Sequence, residues 1–486
     1  MKEFTLLIKY KGKQMKLSRR GFAKMGLMGG AALILPGTAK GQPTSFSQPL
    51  AFPPILSPTS VDATTDYYNI SMQAATKQIV PGLNTTIWGY DGSYPGPTIK
   101  ARRNRRVVVR QTNNLSVDSA VHLHGGHTPP TSDGHPTNTI APGNFRDYIY
   151  PNDQLPATLW YHDHAMDFTG RNVYNGLAGF YILTDDFEDA LPLPKGRYEI
   201  PLVIQDKTFN ADGSLFYNNT GINRRDGFLG QQLLSNGVIQ PYHFVERRKY
   251  RFRILNGSNA RIYELALSTN QQFVQIGSDA GLLSLPVSRS SIVLGPAERV
   301  DVIIDFAQVN RGTNVVLQNL RGSGPTFEIM QFRVMPGHYG KDNSRIPAVL
   351  RQVDRIPATS ATVTRNFTLN MGMGMGGPVS SFNNLPFSPA RIDANPQLNA
   401  TEIWVFQNQT DMVHPIHIHD ISWQILDVDG IPPPAWDMGW KDTFLVPSLG
   451  TVRVIGKFTD FTGDYVFHCH ILEHEDFAMM GQFRVS

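Results

Sequence analysis

His468-Cys469-His470-Ile471-Leu472-Glu473-His474-Glu475-Asp476-Phe477-Ala478-Met479 holds the chain's single cysteine between two histidines, with a third histidine five residues beyond it and a methionine ten beyond. A lone cysteine is ordinarily a small buried hydrophobe. Here the thiol, His474, one imidazole from elsewhere and a distant thioether form the donor set of a blue-copper site, in which thiolate and imidazoles bind the metal and axial Met479 tunes its potential. Zinc more often takes two or more cysteines in a closed structural site, so the segment favours copper. Side chains alternate along a strand, so Cys469 projects opposite to His468 and His470. Its copper then lies on one side while the flanking imidazoles reach toward a different metal cluster, and one covalent tripeptide joins the two.

Working outward, ten of the fourteen histidines fall in four tight groups: His122 and His124; His162 and His164; His414, His417 and His419; and His468, His470 and His474. Residues i and i+2 of a strand point to the same side, so each His-x-His pair offers two imidazoles to one point in space. His414 is an odd number of residues from His417 and faces elsewhere, so it can complete the cysteine site. The eight histidines that remain supply three coppers with two, three and three nitrogens. With the cysteine site that makes four one-electron centres, the number that reduces dioxygen to two waters. The paired groups lie in the first and last thirds of the chain, whereas the middle third holds only His243 and His338, both isolated.

The rest of the chain reads as all-β. Short runs rich in Val, Ile, Phe and Tyr recur at residues 106–111, 148–150, 159–162, 179–183, 250–255, 300–306, 402–407, 451–458 and 465–468, separated by Gly, Pro, Asn and Asp. That rhythm is a β-sandwich signature. Sustained helical periodicity is scarce, so helices should be short and peripheral. A length of 486 residues suggests about three domains, and Pro-containing joints near 186–201 and 346–360 divide the chain into units over 46–188, 189–355 and 356–486. A hydrophobic share of 41% excludes disorder, and one cysteine excludes a disulfide scaffold. The formal charge of +4 does not make this a nucleic-acid binder: residues 1–40 carry nine Lys/Arg and one Asp/Glu, leaving 35 minus 39, or −4, for the remainder.

Ser18-Arg19-Arg20-Gly21-Phe22-Ala23-Lys24, followed by an apolar run from Met25 to Leu35, resembles a twin-arginine export signal over residues 1–45, with cleavage near Ala39. The run is too short for a bilayer, which takes roughly twenty residues. The resemblance implies the twin-arginine export machinery as a partner and a periplasmic or secreted destination, with no stable membrane insertion.

From about residue 50 onward, the four histidine groups together resemble the multicopper oxidases. The family implies three consecutive cupredoxin-like Greek-key β-sandwich domains with a trinuclear cluster between the first and third. Carried over position by position, His414, Cys469, His474 and axial Met479 match the type 1 copper ligands and His122 and His417 the type 2 ligands. His124, His162, His164, His419, His468 and His470 match the type 3 pair, so the cofactors implied are four copper ions. Tyr94 to Ile99 and Gly439 to Thr443 match family segments read as structural. Residues 101–106 and Asp420, where many relatives have Gly, depart from the pattern. Proton delivery needs carboxylates near the cluster, and Asp133 and Glu475 resemble positions that relatives use for it, making them with Cys469 the candidate catalytic residues. His127, His135, His243 and His338 lack partners at ligand spacing and read as surface or supporting residues.

The ligand motifs define the oxygen chemistry and leave the electron donor open. Met371, Met373 and Met375 alternate with glycines and could hold Cu(I), and Met412 resembles a substrate-copper methionine of bacterial cuprous oxidases. The nearby Asp of those enzymes is displaced by one position to Asp411, and their long Met/His-rich insert is missing. The reading is therefore a laccase-like oxidase of phenolic or aromatic amine donors with O2 as acceptor. The alternatives are a periplasmic cuprous oxidase in copper tolerance and a non-catalytic scaffold of the same fold.

Overall fold

The computed structural model describes residues 45–337, 340–374 and 377–486 and, in a separate unit, an antiparallel hairpin of Leu6–Tyr10 and Lys13–Leu17. The twin-arginine segment, the apolar run, the cleavage point, His338 and Met375 lie outside the described residues. Among those described, no helix is long and apolar enough to cross a membrane.

The strands of the large unit sort into three pairs of sheets. In the first pair, a five-stranded sheet that includes Thr65–Lys77, Arg106–Asn113 and Phe145–Tyr150 faces a four-stranded sheet. The latter runs Gly96–Arg102, Ala178–Thr184, β2 (Thr158–Asp163), β1 (Val121–His124). Arg106–Asn113 buries Val107, Val109 and Gln111 while turning the intervening residues outward, as a strand with one covered face must. Every residue of β2 is buried, because the outer face is covered as well. Trp160, Phe180 and Ile182 pack there against Val203, Leu255 and Ala297 of the second sandwich.

The second pair is an eight-stranded sheet, in which β3 (Arg299–Asp305) is flanked by Lys249–Asn256 and Phe273–Ser278, and a five-stranded sheet. The third pair sets a five-stranded sheet against a four-stranded one ordered β5 (Thr443–Val446), β4 (His414–Ile418), β6 (Gly463–Cys469), β7 (Met480–Val485). Between its sheets Trp404, Phe406, Trp423, Phe467 and Phe483 form an aromatic core.

Register places the histidines. His162 stands opposite His122 across β1 and β2, and His417 opposite His468 across β4 and β6, with Ile416 opposite Cys469. A slip of one residue would turn each pair to the other face, so the apolar cores that set the register also set the histidines.

Two expectations need correction. Residues 46–50, assigned by sequence to the first unit, pair with the second sandwich. Phe46 N–H donates to Gln240 (2.8 Å), Leu50 N–H donates to Tyr242 (2.7 Å), and the Leu50 side chain fills the second core. The chain reaches the first sandwich only at Pro54 and Leu56, which bond Thr98. Helices are short as expected, but the two beside the histidines, α1 (Thr169–Asn175) and α2 (Leu472–Asp476), are largely buried rather than peripheral, since they close the space around the strand ends.

Trp404 is fully buried and meets six aromatic partners of the third core. Trp404→Ala is expected to cost about 3–5 kcal/mol, read as a lowered urea midpoint with the far-ultraviolet signature of strand retained before the transition.

Candidate metal centre

At the end of β6 the chain leaves the sheet and turns into α2. Cys469 and His474 are thereby brought to one side of the strand, where β4 begins with His414. The Cys469 sulfur lies 3.6 Å from Nδ1 of His414 and 3.6 Å from Nδ1 of His474. The outer nitrogens are already bonded: His414 Nε2 meets Thr410 Oγ1 at 2.8 Å, and His474 Nε2–H donates to the Arg225 carbonyl at 2.6 Å. Both Nδ1 lone pairs are thus turned to the sulfur. Met479 is fully buried in the same core, and its carbonyl accepts from the Cys469 N–H at 3.0 Å. Burial pushes the Cys469 thiol well up, so a thiolate at this place needs a cation beside it.

The other face of β6 looks across to the first sandwich. Donor atoms fall into three trios, each within 4.8 Å: His122, His124 and His417; His124, His162 and His470; His164, His419 and His468. Each trio draws on both the first and third sandwiches, so the centre lies between them. All eight imidazoles are buried. Burial first, and then neighbouring imidazoles, hold His122, His124, His417, His419 and His470 well below the ordinary histidine range, while His162 falls to about 3 and His164 to about 4. They are neutral, with one lone pair each to give.

Hydrogen bonds decide which nitrogen carries that pair. His122 Nδ1–H donates to the Asp133 carbonyl (2.6 Å), His162 to the Asp163 carbonyl (2.8 Å), His417 to the Asp442 carbonyl (2.8 Å) and His419 to Asp133 Oδ2 (2.8 Å). His468 Nδ1–H donates to the Cys469 carbonyl (3.1 Å) with Glu475 Oε2 beside it at 3.1 Å, and His164 Nδ1 lies 3.6 Å from Glu475 Oε1 without a hydrogen bond. His124 is the inverted member: its Nε2 bonds Asp442 Oδ1 (3.0 Å) and Thr443 Oγ1 (3.1 Å), leaving Nδ1 to face the centre. In consequence bare nitrogens face one another. His122 Nε2 and His417 Nε2 are 3.3 Å apart, and His468 Nε2 is 3.2 Å from the Nε2 atoms of both His164 and His419. His124 Nδ1, His162 Nε2 and both ring nitrogens of His470 are buried with no hydrogen-bond partner among the described residues. Facing lone pairs in a dry site repel unless a cation lies between them. The donor set, imidazoles with one thiolate site, suits copper.

Asp133 reaches the centre because Gly134 takes φ +81°, with a Cβ there lying 2.2 Å from the Val121 carbonyl oxygen; only glycine lets the loop pass so close. Asp133 is fully buried, and burial pushes its carboxyl well up, aided by Asp420. Glu475 projects from α2; burial opposes its charge, but the His468 and His164 imidazoles outweigh that and hold it to about 2.

Sequence reasoning missed several contributors. Asp442 lies in a segment read as structural, yet its carbonyl orients His417 and its carboxylate His124; the side-chain signal was only its nearness to β4 in the sheet, which sequence does not display. His127, read as a surface or supporting residue, pairs with Asp420 (3.0 Å) and Asp460 (3.3 Å). Asp420 has φ +75°, a conformation that glycine adopts without strain. His135 is buried against Gln482 and His243 packs edge-on to Phe52. Met412 packs against the third core and Met373 is exposed.

Multicopper oxidase family models match this chain three times in series, over residues 71–187, 200–328 and 353–486. The chain is similar to a laccase from Bacillus stratosphericus, 38% identical over 90% of this chain and 98% of that one. It is also similar to a bilirubin oxidase from Albifimbria verrucaria, 35% identical over 91% of this chain and 81% of that one. Among solved structures, a laccase from Pediococcus acidilactici superimposes with a TM-score of 0.84 at 33% identity, covering 92% of this chain and 95% of that one.

Burial opposes charge on His127, but its hydrogen bonds to Asp420 and Asp460 and the Asp420 charge lift it to about 9. A raised histidine stabilises the fold below its unfolded value of about 6.5, and that stabilisation is lost as pH rises toward 9. From pH 7 upward, where Asp420 (pushed by burial to about 6) is ionised, the wild type should melt above His127→Gln. The gap in midpoints should close by pH 9–10; a constant gap across that range contradicts the ion pair.

Proposed function

The chain belongs to the multicopper oxidase family, a laccase-like copper oxidoreductase that uses O2 and is built of cupredoxin-like domains, and from that premise we propose the finer assignment of its metals and donors. One copper, of type 1, is held by His414, Cys469, His474 and axial Met479. Three more lie between the first and third sandwiches, the type 2 ion on His122 and His417 and the type 3 pair on His124, His162, His164, His419, His468 and His470. The supporting observation is the inward facing of imidazole nitrogens at 3.2–3.3 Å. When bound, copper supplies one-electron redox steps, four of which reduce O2 to two waters.

The chain's own residues do the rest. Cys469 lies between His468 and His470, so the first site is bonded covalently to both halves of the second. His474, His414 and Cys469 are held by Arg225, Thr410 and the Ile471 N–H, which donates to the sulfur at 3.4 Å, so the donor set does not reorganise between oxidation states. Asp133 and Glu475 stand beside different members of the imidazole cluster; Asp133, pushed up by burial, is able to hold and release a proton there, and the ionised Glu475 is placed to accept one.

The donors proposed are phenols and aromatic amines. Asp411, displaced by one position from the acid of the cuprous oxidases, is paired with Arg225 at 3.1 Å, which favours this reading over a cuprous oxidase. A non-catalytic scaffold would not retain the full set of buried donors. The leader's resemblance supports export of the folded protein by the twin-arginine route to the periplasm or beyond.

The test is steady-state oxidation of a phenol, an aromatic amine and Cu(I) under air with oxygen uptake followed. About four one-electron donors should be consumed per O2 with water as product, the aromatic donors should outpace Cu(I), and Cys469→Ser should remove both colour and turnover. Hydrogen peroxide as the main product, or an active Cys469→Ser protein, contradicts the assignment. Asp133→Asn and Glu475→Gln are each expected to retain copper and lower kcat by about 10²; wild-type rates in both would remove these carboxylates from proton delivery.

A further inference from the structure

The middle sandwich supplies none of the proposed ligands, yet one of its side chains reaches the cluster. Arg299 opens β3 and is fully buried. Each of its five N–H groups is used. Nε–H donates to the Thr158 carbonyl of the first sandwich at 2.9 Å. Within the second, the terminal nitrogens donate to the carbonyls of Ala297 (3.0 Å) and Asp279 (3.0 Å). The remaining two N–H groups grip the Asp442 carboxylate of the third, at Oδ1 (2.8 Å) and at Oδ2. One guanidinium therefore bonds all three sandwiches and ends on a residue that touches two cluster histidines.

Asp442 is where those contacts converge. Its Oδ1 lies 3.0 Å from His124 Nε2, and its carbonyl accepts from His417 Nδ1. His124 is turned to present Nδ1, and the Asp442 carboxylate is what stabilises that tautomer. A carboxylate rotated by one rotamer would no longer meet Nε2. Lys441, next in the chain, is held in turn by Asp279 (3.0 Å) and Glu298 (2.9 Å), also of the middle sandwich, so backbone and side chain of this segment are both anchored there.

We propose that Arg299 is a positioning residue of the copper cluster: by fixing the Asp442 carboxylate it selects the Nδ1-presenting tautomer of His124, whose ring stacks on that of His417 at 3.6 Å. The proposal rests on the copper assignment above. It gives the histidine-poor middle domain a share in the oxygen chemistry.

The experiment compares copper-loaded wild type with Arg299→Lys, which keeps the charge but not the two-pronged grip, and with Asp442→Asn. Arg251→Lys is the control, a buried arginine of the same sheet that pairs with Glu188 and Asp301 and not with Asp442. Copper per chain, the blue absorption of the cysteine site and the electron paramagnetic resonance spectrum of the type 2 ion are measured alongside turnover. Both test variants should keep full blue absorption, lose part of the remaining copper with altered type 2 hyperfine splitting, and show kcat lowered about 10–100-fold at a donor KM within about twofold. The control should match wild type in spectrum and copper count. Unchanged copper, type 2 spectrum and kcat in Arg299→Lys would overturn the proposal. So would loss of blue absorption together with cluster copper in both test variants, which marks a purely structural role. A wild type that binds no copper beyond the blue site would instead defeat the copper assignment, so the two failures are distinguishable.

Discussion

The centre is organised by repulsion between lone pairs. Eight imidazoles are buried together, and where their outer nitrogens are committed to carbonyls and carboxylates the remaining lone pairs face inward, to within 3.2–3.3 Å. Without a cation that arrangement is unfavourable; with copper it is a ligand field assembled in advance. Metal binding and the closure of the first sandwich on the third are therefore one equilibrium, because each trio takes donors from both. The outer acceptors matter as much as the ligands, since they decide which nitrogen faces in.

Much of this was legible in the sequence because the strand period is strict. His-x-His means two imidazoles on one face wherever the chain is extended, and an intervening Cys469 must face the other way; the structure places its sulfur beside His414 and His474 and its neighbours beside the first sandwich. The recurrent Val, Ile, Phe and Tyr runs coincide with strands such as Arg106–Asn113, Thr401–Asn408 and Thr451–Lys457, since alternation follows from one buried and one solvated face.

What was not legible depends on contacts far apart in the chain. Leu50 is an apolar residue just ahead of the first unit's strands, and nothing local says that its hole is in the second core. Asp442 and Arg299 are 143 residues apart, and an acid in a loop gives no sign that a guanidinium from another domain will meet it. His127 reads alone as a surface or supporting residue and Asp420 as a departure from the family pattern. Together they explain one another, for an acid at positive φ keeps its buried charge when an imidazole stands against it.

The same reasoning says why three sandwiches are present when two carry the proposed ligands. Trp160, Phe180 and Ile182 make β2 a strand with two covered faces, and the second cover comes from Val203, Leu255 and Ala297 of the middle sandwich. Remove it and the strand that carries His162 opens to water. Asp442 would be left as a buried carboxylate without its counter-charge, a cost of several kcal/mol. His474 would lose the Arg225 carbonyl that turns its Nδ1 toward Cys469. The middle sandwich thus holds the outer nitrogen at one copper site and the carboxylate behind the other, which is why a domain with few histidines is as bound to this chemistry as its neighbours.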